Sequence, residues 1–324
     1  MGSFGFSPLR PDLISAPEVL QMRAPAKLNL HLEVLGLRPD GFHELAMVMQ
    51  TIDLFDQISV TAAKPGEISL ECTDNEIALD GSNLVIKAAT ALQNHTKQLH
   101  LGAKLQLVKN IPIGAGLAGG SSDAATTLLL LNRFWQLHLP LNTLELIASE
   151  LGSDVPFCLI GGTQCCYGRG EKLQACPDAL PLGVLLLKDP SAQVSTPWAY
   201  GKCKELRSDF YLEAERDFEQ RREQLRHGKL LQWLGKPASM ELPPLRNDLQ
   251  GVVAPGQPSV EMGINLLRQL PNLITAAMSG SGPSIFGLFR NRAVAAEAEA
   301  LLLPALRENG FNHWVCGFEP ARSF

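Results

Sequence analysis

The sequence predicts a two-domain α+β protein, from its length, its balance of residue types and its mixture of strand and helix patterns. The chain has 324 residues, which exceeds one typical hydrophobic core and suits two domains of ordinary size. Hydrophobic residues make up 45% and charged residues 19% of the chain, so both cores can be buried without help from disulfides or metals. Alternating and helically spaced apolar residues occur in both halves, which predicts sheets and helices in each domain.

Charge and hydropathy exclude two classes of partner. The formal net charge is -5, and no dense run of Lys and Arg offers the positive surface that nucleic-acid binding requires. No apolar run approaches the roughly 20 residues that cross a bilayer. We therefore expect no nucleic-acid partner and no membrane span.

The cysteines and the N-terminal segment bear on location. Seven cysteines, an odd number without Cys-x-x-Cys spacing, are typical of free thiols in a reducing compartment. Residues 1–22 lack the basic and apolar regions of a secretory signal and are predicted to be an N-terminal extension. These patterns favour a cytoplasmic protein, and they leave its oligomeric state open.

The first regular segment alternates from Ala26 to Val34. Leucine or valine stands at positions 28, 30, 32 and 34, and polar residues stand between them, which predicts a half-buried strand whose polar face carries Lys27, Asn29, His31 and Glu33. The turn sequence Pro39-Asp40-Gly41 follows. It presents Phe42 and His43 near a loop.

The remaining elements follow from periodicity, caps and breakers. We predict a helix over 83–99 with a Ser82 or Asn83 cap, a strand over 104–108, a long helix over 123–137 and a short helix over 142–151. Asp154 is a good N-cap for a further helix with Pro156 in its first turn. The charged segment 202–227 is predicted to form one solvated helix, 237–244 and 253–258 to be loops, and 273–278 and 284–289 to be strands. Glycines cluster over 161–170, and the predicted domain boundary lies soon after them, at 175/176.

A glycine-rich loop lies between the strand at 104–108 and the long helix. Gly114-Ala-Gly-Leu-Ala-Gly119 satisfies the dinucleotide pattern, but no acidic residue stands about 20 positions later to hold a ribose, and the loop is far from the first strand. Backbone N–H groups at a helix start instead suit a phosphate. Close packing of helix on sheet is the alternative explanation of the glycines. A second glycine turn, formed by Ser279, Gly280, Ser281 and Gly282, favours a polyphosphate ligand.

These motifs, in this order, resemble those of the GHMP kinases. More narrowly, Pro25-Ala-Lys-Leu-Asn-Leu30 with Arg38-Pro-Asp-Gly-Phe-His43, Gly152-Ser-Asp-Val-Pro-Phe157 and Arg246-Asn-Asp-Leu249 resemble the branch that phosphorylates the 2-hydroxyl of a cytidylyl alcohol in isoprenoid synthesis. The resemblance spans nearly the whole chain. It implies an S5-like N-terminal α/β domain over 23–175, a ferredoxin-like C-terminal α+β domain over 176–324, and ATP with Mg²⁺ as cofactors. Phe42 stands where members commonly have Tyr, and Ala118 where many have Gly.

The resemblance also implies roles for single residues. Asp154 is the expected base, and Lys27 is its expected catalytic partner. The alternative structural role of Asp154 is a helix N-cap, and that of Lys27 is a surface lysine. The cytidylyl substrate is expected to contact Asn29, Thr196, the rings of Phe42 and Tyr200, and the edge of His43. ATP is expected against Asn83, Lys109 and the loop residues Pro112, Gly114, Gly116, Leu117, Ala118, Gly119, Gly120, Ser121 and Ser122, with Ser122 also the expected protein contact of Mg²⁺.

Two other functions stay open at this point. A sister kinase could act on homoserine or mevalonate, and a catalytically inactive relative could bind a nucleotide on the same fold. The aromatic residues that suit cytosine disfavour the first alternative, and the presence of both Lys27 and Asp154 disfavours the second.

Overall fold

The computed structural model describes residues 19–236 and 242–323, and the fold is built from two sheets packed with helices. Most of the predicted N-terminal extension and part of the predicted 237–244 loop lie outside the described residues. In chain order the strands are β1 (Leu20–Leu37), β2 (His43–Thr61), β3 (Ile68–Cys72), β4 (Ala103–Val108), β5 (Thr163–Gly168), β6 (Lys172–Ala175), β7 (Gly183–Lys188), β8 (Arg246–Asn247), β9 (Thr275–Met278), β10 (Ile285–Phe289) and β11 (Asn312–Gly317).

The first sheet has seven strands, and the long strand β2 organises it. The order β3-β4-β2-β1-β8 runs across the sheet, while β5 pairs with the other half of β2 and then with β6. Strand β2 thus pairs with β4 over Gln57–Thr61 and with β5 over Leu45–Gln50. The second sheet has four antiparallel strands in the order β11-β7-β10-β9.

Ten α-helices are found in the described part of the chain. They are α1 (Leu84–Thr96), α2 (Gly119–Phe134), α3 (Leu141–Leu151), α4 (Val155–Ile160), α5 (Thr196–Arg207), α6 (Glu215–Arg226), α7 (Lys229–Gly235), α8 (Gln250–Val253), α9 (Pro258–Arg268) and α10 (Arg292–Glu308). None of these helices is long and apolar enough to cross a membrane.

The buried apolar side chains form two clusters. One cluster includes Leu105, Leu128 and Phe157 and packs the first sheet against helices. The other cluster brings Leu28 and Val48 of the first sheet together with Leu186 and Phe286 of the second. The two sheets therefore share a buried apolar interface, and burial of this area is a main source of stability.

Several predicted elements are confirmed with small shifts. Asn83 caps α1, because its side chain accepts a hydrogen bond from the Val85 N–H at 2.8 Å. Helix α2 begins at Gly119, four residues before the predicted start at 123. The two strands around the second glycine turn are β9 and β10.

The prediction that four polar residues share one face of β1 is wrong. The pairing of β1 with β2 shifts register between Asn29 and His31, and such a bulge turns the following side chains to the other face. Lys27 and Asn29 consequently line the main cleft, whereas His31 and Glu33 line a small depression beside α6. Both pairs are largely buried, so the strand is not half-exposed as predicted.

The prediction of one solvated helix over 202–227 is also wrong. Helix α5 ends at Arg207, a single 3₁₀ turn covers Ser208–Phe210, and α6 begins at Glu215. Helix α6 buries Phe218, Arg222 and Leu225, so one face of it packs against the sheets. The predicted 253–258 loop is instead a 3₁₀ turn over Ala254–Gly256 that leads directly into α9.

The division into domains at 175/176 remains a prediction. It falls between β6 of the first sheet and β7 of the second, which supports it. The short strand β8 returns to the first sheet, where it pairs with β1 at His31 and Leu32. A residue pair from the second half of the chain therefore completes the first sheet.

Candidate active site

A cleft of about 950 Å³ lies across the molecule and collects most of the predicted site residues. Its walls come from β1, the loop before α2, the start of α4, the first turns of α5 and the turn between β9 and β10. All the predicted site residues line it except Ser122, Ser279 and Gly282. The tertiary structure thus brings both glycine motifs and the predicted catalytic pair to one place.

Lys27 and Asp154 form an ion pair in the middle of this cleft. The Lys27 ammonium lies 3.6 Å from Asp154 Oδ2, with the lysine side chain almost wholly buried and the aspartate side chain 30% exposed. Asp154 occupies the N-cap position of α4, but its side chain makes no capping hydrogen bond. The helix-cap explanation of Asp154 therefore has no support in the geometry, and the carboxylate is available to a ligand.

Lys27 is anchored where the two glycine segments meet. Its ammonium donates hydrogen bonds to Asn29 Oδ1 at 2.6 Å and to the Gly116 carbonyl at 3.0 Å. The Ser279 hydroxyl donates to the same carbonyl at 3.3 Å and accepts from the Asn29 N–H at 3.2 Å. The first glycine loop, the second glycine turn and β1 are consequently held at one point, where Lys27 has a fixed position.

The predicted phosphate loop has the geometry of an anion site. Gly114 and Gly116 have φ values of +61° and +73°, which glycine adopts without strain. Ala118, also left-handed at φ +57°, is the N-cap of α2, and no side chain caps the helix. The first N–H groups of this 16-residue helix are therefore left for a ligand, and the helix dipole favours an anion there.

Ser122 does not fit its predicted role as a contact of Mg²⁺. The side chain is fully buried, and its hydroxyl donates a hydrogen bond to the Pro25 carbonyl at 2.6 Å. It ties α2 to β1 instead of facing the cleft. The neighbouring Ser121 lines the cleft and is the better-placed hydroxyl.

Asn83 and Lys109 line the cleft, but their polar atoms are engaged inside the protein. The Asn83 amide accepts from Val85 and donates to the Ala78 carbonyl at 2.7 Å. The Lys109 ammonium is paired with Asp56 and lies 2.8 Å from Asp123 Oδ2. Both residues shape the wall near the loop, and a contact with adenine through their polar atoms stays a prediction.

The two carboxylates around Lys109 connect three elements. Asp56 on β2 also accepts hydrogen bonds from the backbone N–H groups of Asn110 and Ile111, at 2.6 and 2.8 Å. Asp123 lies in α2, and its Oδ1 has no hydrogen-bond partner among the described residues. Burial, with a further contribution from Asp56 and against the opposing effect of Lys109, raises the pKa of Asp123 to about 7.

The other end of the cleft carries the rings predicted to hold a base. Phe42 is exposed, and the Arg169 guanidinium lies 4.9 Å from the centre of its ring. The His43 ring stacks on Tyr200 at 5.2 Å and meets Tyr211 edge-on at 5.6 Å. His43 thus covers one face of Tyr200, and a contact of the substrate with the Tyr200 ring stays a prediction.

His43 offers an unsatisfied polar edge at this end. Its Nε2 is buried without a hydrogen-bond partner in the described part of the chain. Burial, assisted by Lys204, lowers the pKa of His43 below its usual value, so the imidazole is neutral at pH 7. A neutral ring has one donor and one acceptor nitrogen, which suits the edge of a base.

Thr196 and two unpredicted cations complete the site. The Thr196 hydroxyl lies 2.9 Å from the Ser281 hydroxyl and so links α5 to the second glycine turn. Arg169 and Lys204 line the same end of the cleft, and sequence reasoning missed both. The placement of Arg169 between Gly168 and Gly170, 15 residues after Asp154, was the available signal for the first; nothing local distinguished Lys204.

Asn247, in the Arg246-Asn-Asp-Leu249 motif, contacts the second glycine turn. Its side-chain amide donates to the carbonyls of Met278 and Gly280, both at 2.9 Å. Through β8 it therefore holds the second glycine turn against the first sheet.

Comparison with known proteins agrees with this geometry. The family model of the GHMP kinases N terminal domain matches residues 83–162, and that of the GHMP kinases C terminal matches 222–302. A 4-diphosphocytidyl-2-C-methyl-D-erythritol kinase of Prochlorococcus marinus (strain MIT 9313) is 52% identical over 305 residues, which cover 94% of this chain and 95% of that protein.

Solved structures lead to the same family. A crystal structure of 4-(cytidine 5'-diphospho)-2C-methyl-D-erythritol kinase matches with a TM-score of 0.72 and 30% identity, covering 92% of this chain and 99% of that one. The homoserine kinase of Cytophaga hutchinsonii matches with a TM-score of 0.71 at 16% identity, over 97% and 98% of the two chains. The latter shares the fold alone, and together these matches confirm the predicted GHMP kinase fold.

Proposed function

The chain belongs to the 4-diphosphocytidyl-2-C-methyl-D-erythritol kinases, a branch of the GHMP kinases, and on this premise we propose that it phosphorylates the 2-hydroxyl of 4-(cytidine 5'-diphospho)-2-C-methyl-D-erythritol with ATP. The reaction belongs to the non-mevalonate route to isoprenoid precursors. The observation that carries the proposal is the Lys27 and Asp154 ion pair, 3.6 Å apart, between a phosphate loop and an aromatic end of the same cleft.

The chemistry needs positioning more than covalent help. Phosphoryl transfer requires the attacking hydroxyl in line with the γ-phosphorus, neutralisation of charge on the phosphoryl oxygens, and an acceptor for the hydroxyl proton. Asp154 accepts the proton and orients the hydroxyl, and Lys27 neutralises charge on the transferred group. Since Lys27 is anchored to Asn29 and to the Gly116 carbonyl, its ammonium is preorganised for this task.

The phosphates of ATP are assigned to the start of α2. Gly119, Gly120 and Ser121 line the cleft in the first turn of the helix, and their N–H groups are the proposed donors. Bulk at Gly119 would disturb this arrangement, because a Cβ there would lie 3.1 Å from Ile111 Cγ2 and 3.3 Å from the Lys109 ammonium.

Mg²⁺ is part of the proposal, with few protein ligands. The described residues contain no group of three or more His, Cys, Asp or Glu side chains that could hold a metal, and Mg²⁺ bound with a nucleotide takes most of its ligands from phosphate and water. Among the described residues, the carboxylates that line the cleft and are the proposed contributors are Asp123, whose Oδ1 has no hydrogen-bond partner there, and Asp154. When bound, Mg²⁺ offsets the charge of the ATP phosphates.

The cytidylyl group is assigned to the aromatic end. Phe42 provides an exposed ring for stacking, and His43 provides the neutral polar edge described above. The diphosphate of the substrate carries negative charge, which Arg169 and Lys204 can offset. Tyr200 would join the stack if His43 left its face, and otherwise it orients His43. Thr196 and Asn29 are the proposed contacts of the erythritol part.

The proposal includes a cytoplasmic location but no oligomeric state. Cytoplasmic location is supported by the seven cysteines, all of which are free thiols in the structure, since a reducing compartment keeps them so. The oligomeric state stays open.

A panel of alcohols tests the substrate assignment. ATP turnover should be measured with the cytidylyl alcohol, its uridylyl analogue, homoserine and mevalonate under one set of conditions. The proposal requires the cytidylyl alcohol to have the highest kcat/KM. Efficient phosphorylation of homoserine or mevalonate without activity on the cytidylyl alcohol would refute the substrate and leave the kinase family intact.

Replacing Asp154 tests the catalytic assignment. Asp154→Asn preserves the shape and removes the carboxylate, so kcat should fall by about 10²-fold or more while ATP binding by calorimetry is retained. The carboxylate caps no helix, but its loss removes the ion-pair partner of the largely buried Lys27, so the free energy of unfolding should fall moderately while the variant still folds. Asp209→Asn, an exposed carboxylate outside the cleft, is the control and should have wild-type kcat. Near-normal turnover of Asp154→Asn would refute the role of the base.

A further inference from the structure

Helix α6 belongs to the charged segment 202–227 and contributes no residue to the proposed reaction. Among the described residues, none from α6 or α7 lines the cleft. Yet α6 is not a free surface helix, since Phe218 and Leu225 are buried in the cluster between the sheets. The backbone just before it is tied to β1, where the Leu212 N–H donates to the Leu35 carbonyl at 2.7 Å.

Arg222 is the charged residue that α6 buries. Its guanidinium donates to Glu44 Oε1 at 2.5 Å, to Glu215 Oε1 at 2.6 Å and to Glu219 Oε2 at 3.1 Å. The side chain is 10% exposed and that of Glu44 is 3% exposed. A buried arginine held in this way has a single position, and removing it would leave Glu44 with less compensation for its charge.

Glu44 links Arg222 to two turns at the substrate end of the cleft. Its Oε1 also accepts a hydrogen bond from the Gly168 N–H at 3.0 Å, and its Oε2 accepts from Arg38 at 2.8 Å. Gly168 begins the turn that carries Arg169. Arg38 pairs with Asp40, and Asp40 accepts from the Phe42 N–H at 3.1 Å.

The two turns meet over the cleft. Arg169 lies above the ring of Phe42, and His43 directly precedes Glu44 on β2. Glu44 does not itself line the cleft. We propose that Arg222 is a positioning residue: through Glu44 it fixes the turns that carry Phe42, His43 and Arg169, and it thereby sets the affinity for the cytidylyl substrate. This inference rests on the proposed function for its substrate, while the link between α6 and the turns is independent of it.

The ATP end provides the internal contrast. The phosphate loop is held by contacts with Lys27, Ser279 and Asp56, and none of these residues touches Arg222. A change at Arg222 should therefore affect the cytidylyl substrate and spare ATP. A general loss of structure would affect both.

The kinetic experiment compares two neighbouring arginines. In Arg222→Lys and Arg222→Met the KM for the cytidylyl alcohol should rise, by about tenfold in the methionine variant, with the KM for ATP unchanged. Lysine retains the charge but cannot serve three carboxylates with a planar fork, so its effect should be smaller. Preference for the cytidylyl over the uridylyl alcohol should fall in parallel. Arg221→Lys and Arg221→Met are matched controls, because Arg221 on the same helix pairs with Glu33, away from the cleft, and they should retain the wild-type KM.

Hydrogen exchange tests the link without reference to any substrate. In Arg222→Lys, peptides covering 38–43 and 166–171 should exchange faster than in the wild type, and peptides covering the loop at 112–122 should not. If Arg222→Met does not fold, Arg222→Lys carries both measurements. Unchanged exchange and unchanged cytidylyl KM in a folded variant would overturn the proposal, as would equal rises in the KM for both substrates. A wild type that ignores the cytidylyl alcohol would refute the proposed function, and exchange alone would then decide the link.

Discussion

At the scale of single residues, Gly280 is a position in the site where the backbone leaves little room for a side chain. It has a φ of +58°, and a Cβ on it would lie 3.0 Å from the Gly116 carbonyl oxygen, 3.1 Å from Asn29 Oδ1 and 3.2 Å from the Lys27 ammonium. These are the atoms that fix Lys27 against the phosphate loop. Any side chain at Gly280 therefore acts on Lys27, the proposed catalytic lysine, through direct contact.

Gly280→Ala should consequently lower kcat as well as the free energy of unfolding. A displaced ammonium costs turnover by about 10- to 100-fold, whereas the left-handed backbone costs about 1–2 kcal/mol of unfolding free energy. Gly310→Ala is the matched control, because Gly310 has a φ of +70° with nothing within 4 Å of its Cβ position. It should show a similar loss of stability in urea unfolding with wild-type kcat. Equal kcat values in the two variants would contradict the prediction.

At the scale of elements, β2, the end of β4 and α2 are joined under the phosphate loop by Asp56, Lys109 and Asp123. Two carboxylates share one ammonium, so the buried group has one excess negative charge. The raised pKa of Asp123, about 7, follows from that excess and from burial. The brace of the loop is therefore sensitive to pH.

The contribution of Asp123 to the free energy of unfolding should decrease as the pH rises. An unfolded aspartate has a pKa of about 3.9, so between that pH and about 7 the folded protein retains a proton that the unfolded chain has lost. The contribution to stability is fully present below pH about 4 and is lost as the pH rises to about 7, with a slope of up to about 1.4 kcal/mol per pH unit. Urea unfolding from pH 4 to 8 should show this slope in the wild type, and Asp123→Asn should remove it.

The exposed control Asp209→Asn should follow the wild-type stability curve at every pH. Parallel curves for the wild type and Asp123→Asn would show that Asp123 does not titrate in this range.

At the scale of the whole molecule, the interface between the two sheets makes the halves of the chain depend on each other. Phe286 of β10 is completely buried in the cluster that also contains Leu28 and Val48 of the first sheet. Lys27, the proposed catalytic lysine, lies on β1 next to this interface. The sheets should therefore unfold together.

Phe286→Ala should lower the free energy of unfolding by about 3–5 kcal/mol, through lost burial and the cavity left behind. Single-tryptophan variants that retain either Trp135, which lies beside α2, or Trp314, in β11, report on the two halves. Their fluorescence midpoints should coincide before and after the substitution. Leu301→Ala, at an exposed position of α10, should change stability by less than about 0.5 kcal/mol. Separate midpoints for the two tryptophans would contradict the prediction.

Features that depend on neighbouring residues were predictable from the amino-acid sequence. The Asn83 cap, the turn at Gly41, the strands around the second glycine turn and the loop between β4 and α2 were all predicted. Each of them follows from backbone conformations and hydrogen bonds made within a few residues. The resemblance of the motifs then led from those local features to the cytidylyl alcohol kinases.

Contacts between side chains that are distant in the sequence depend on how the chain folds. The bulge after Asn29 places Lys27 and Glu33 on different faces of β1. The Ser122 hydroxyl donates a hydrogen bond to the Pro25 carbonyl. Arg222 donates to Glu44, which is 178 residues away in the sequence. Periodicity in the sequence records that a residue is polar or apolar, and it does not record the distant partner that makes burial of a charge possible. For this reason most of the residues that line the cleft were predictable from the sequence, and the contacts that hold its parts in place were not.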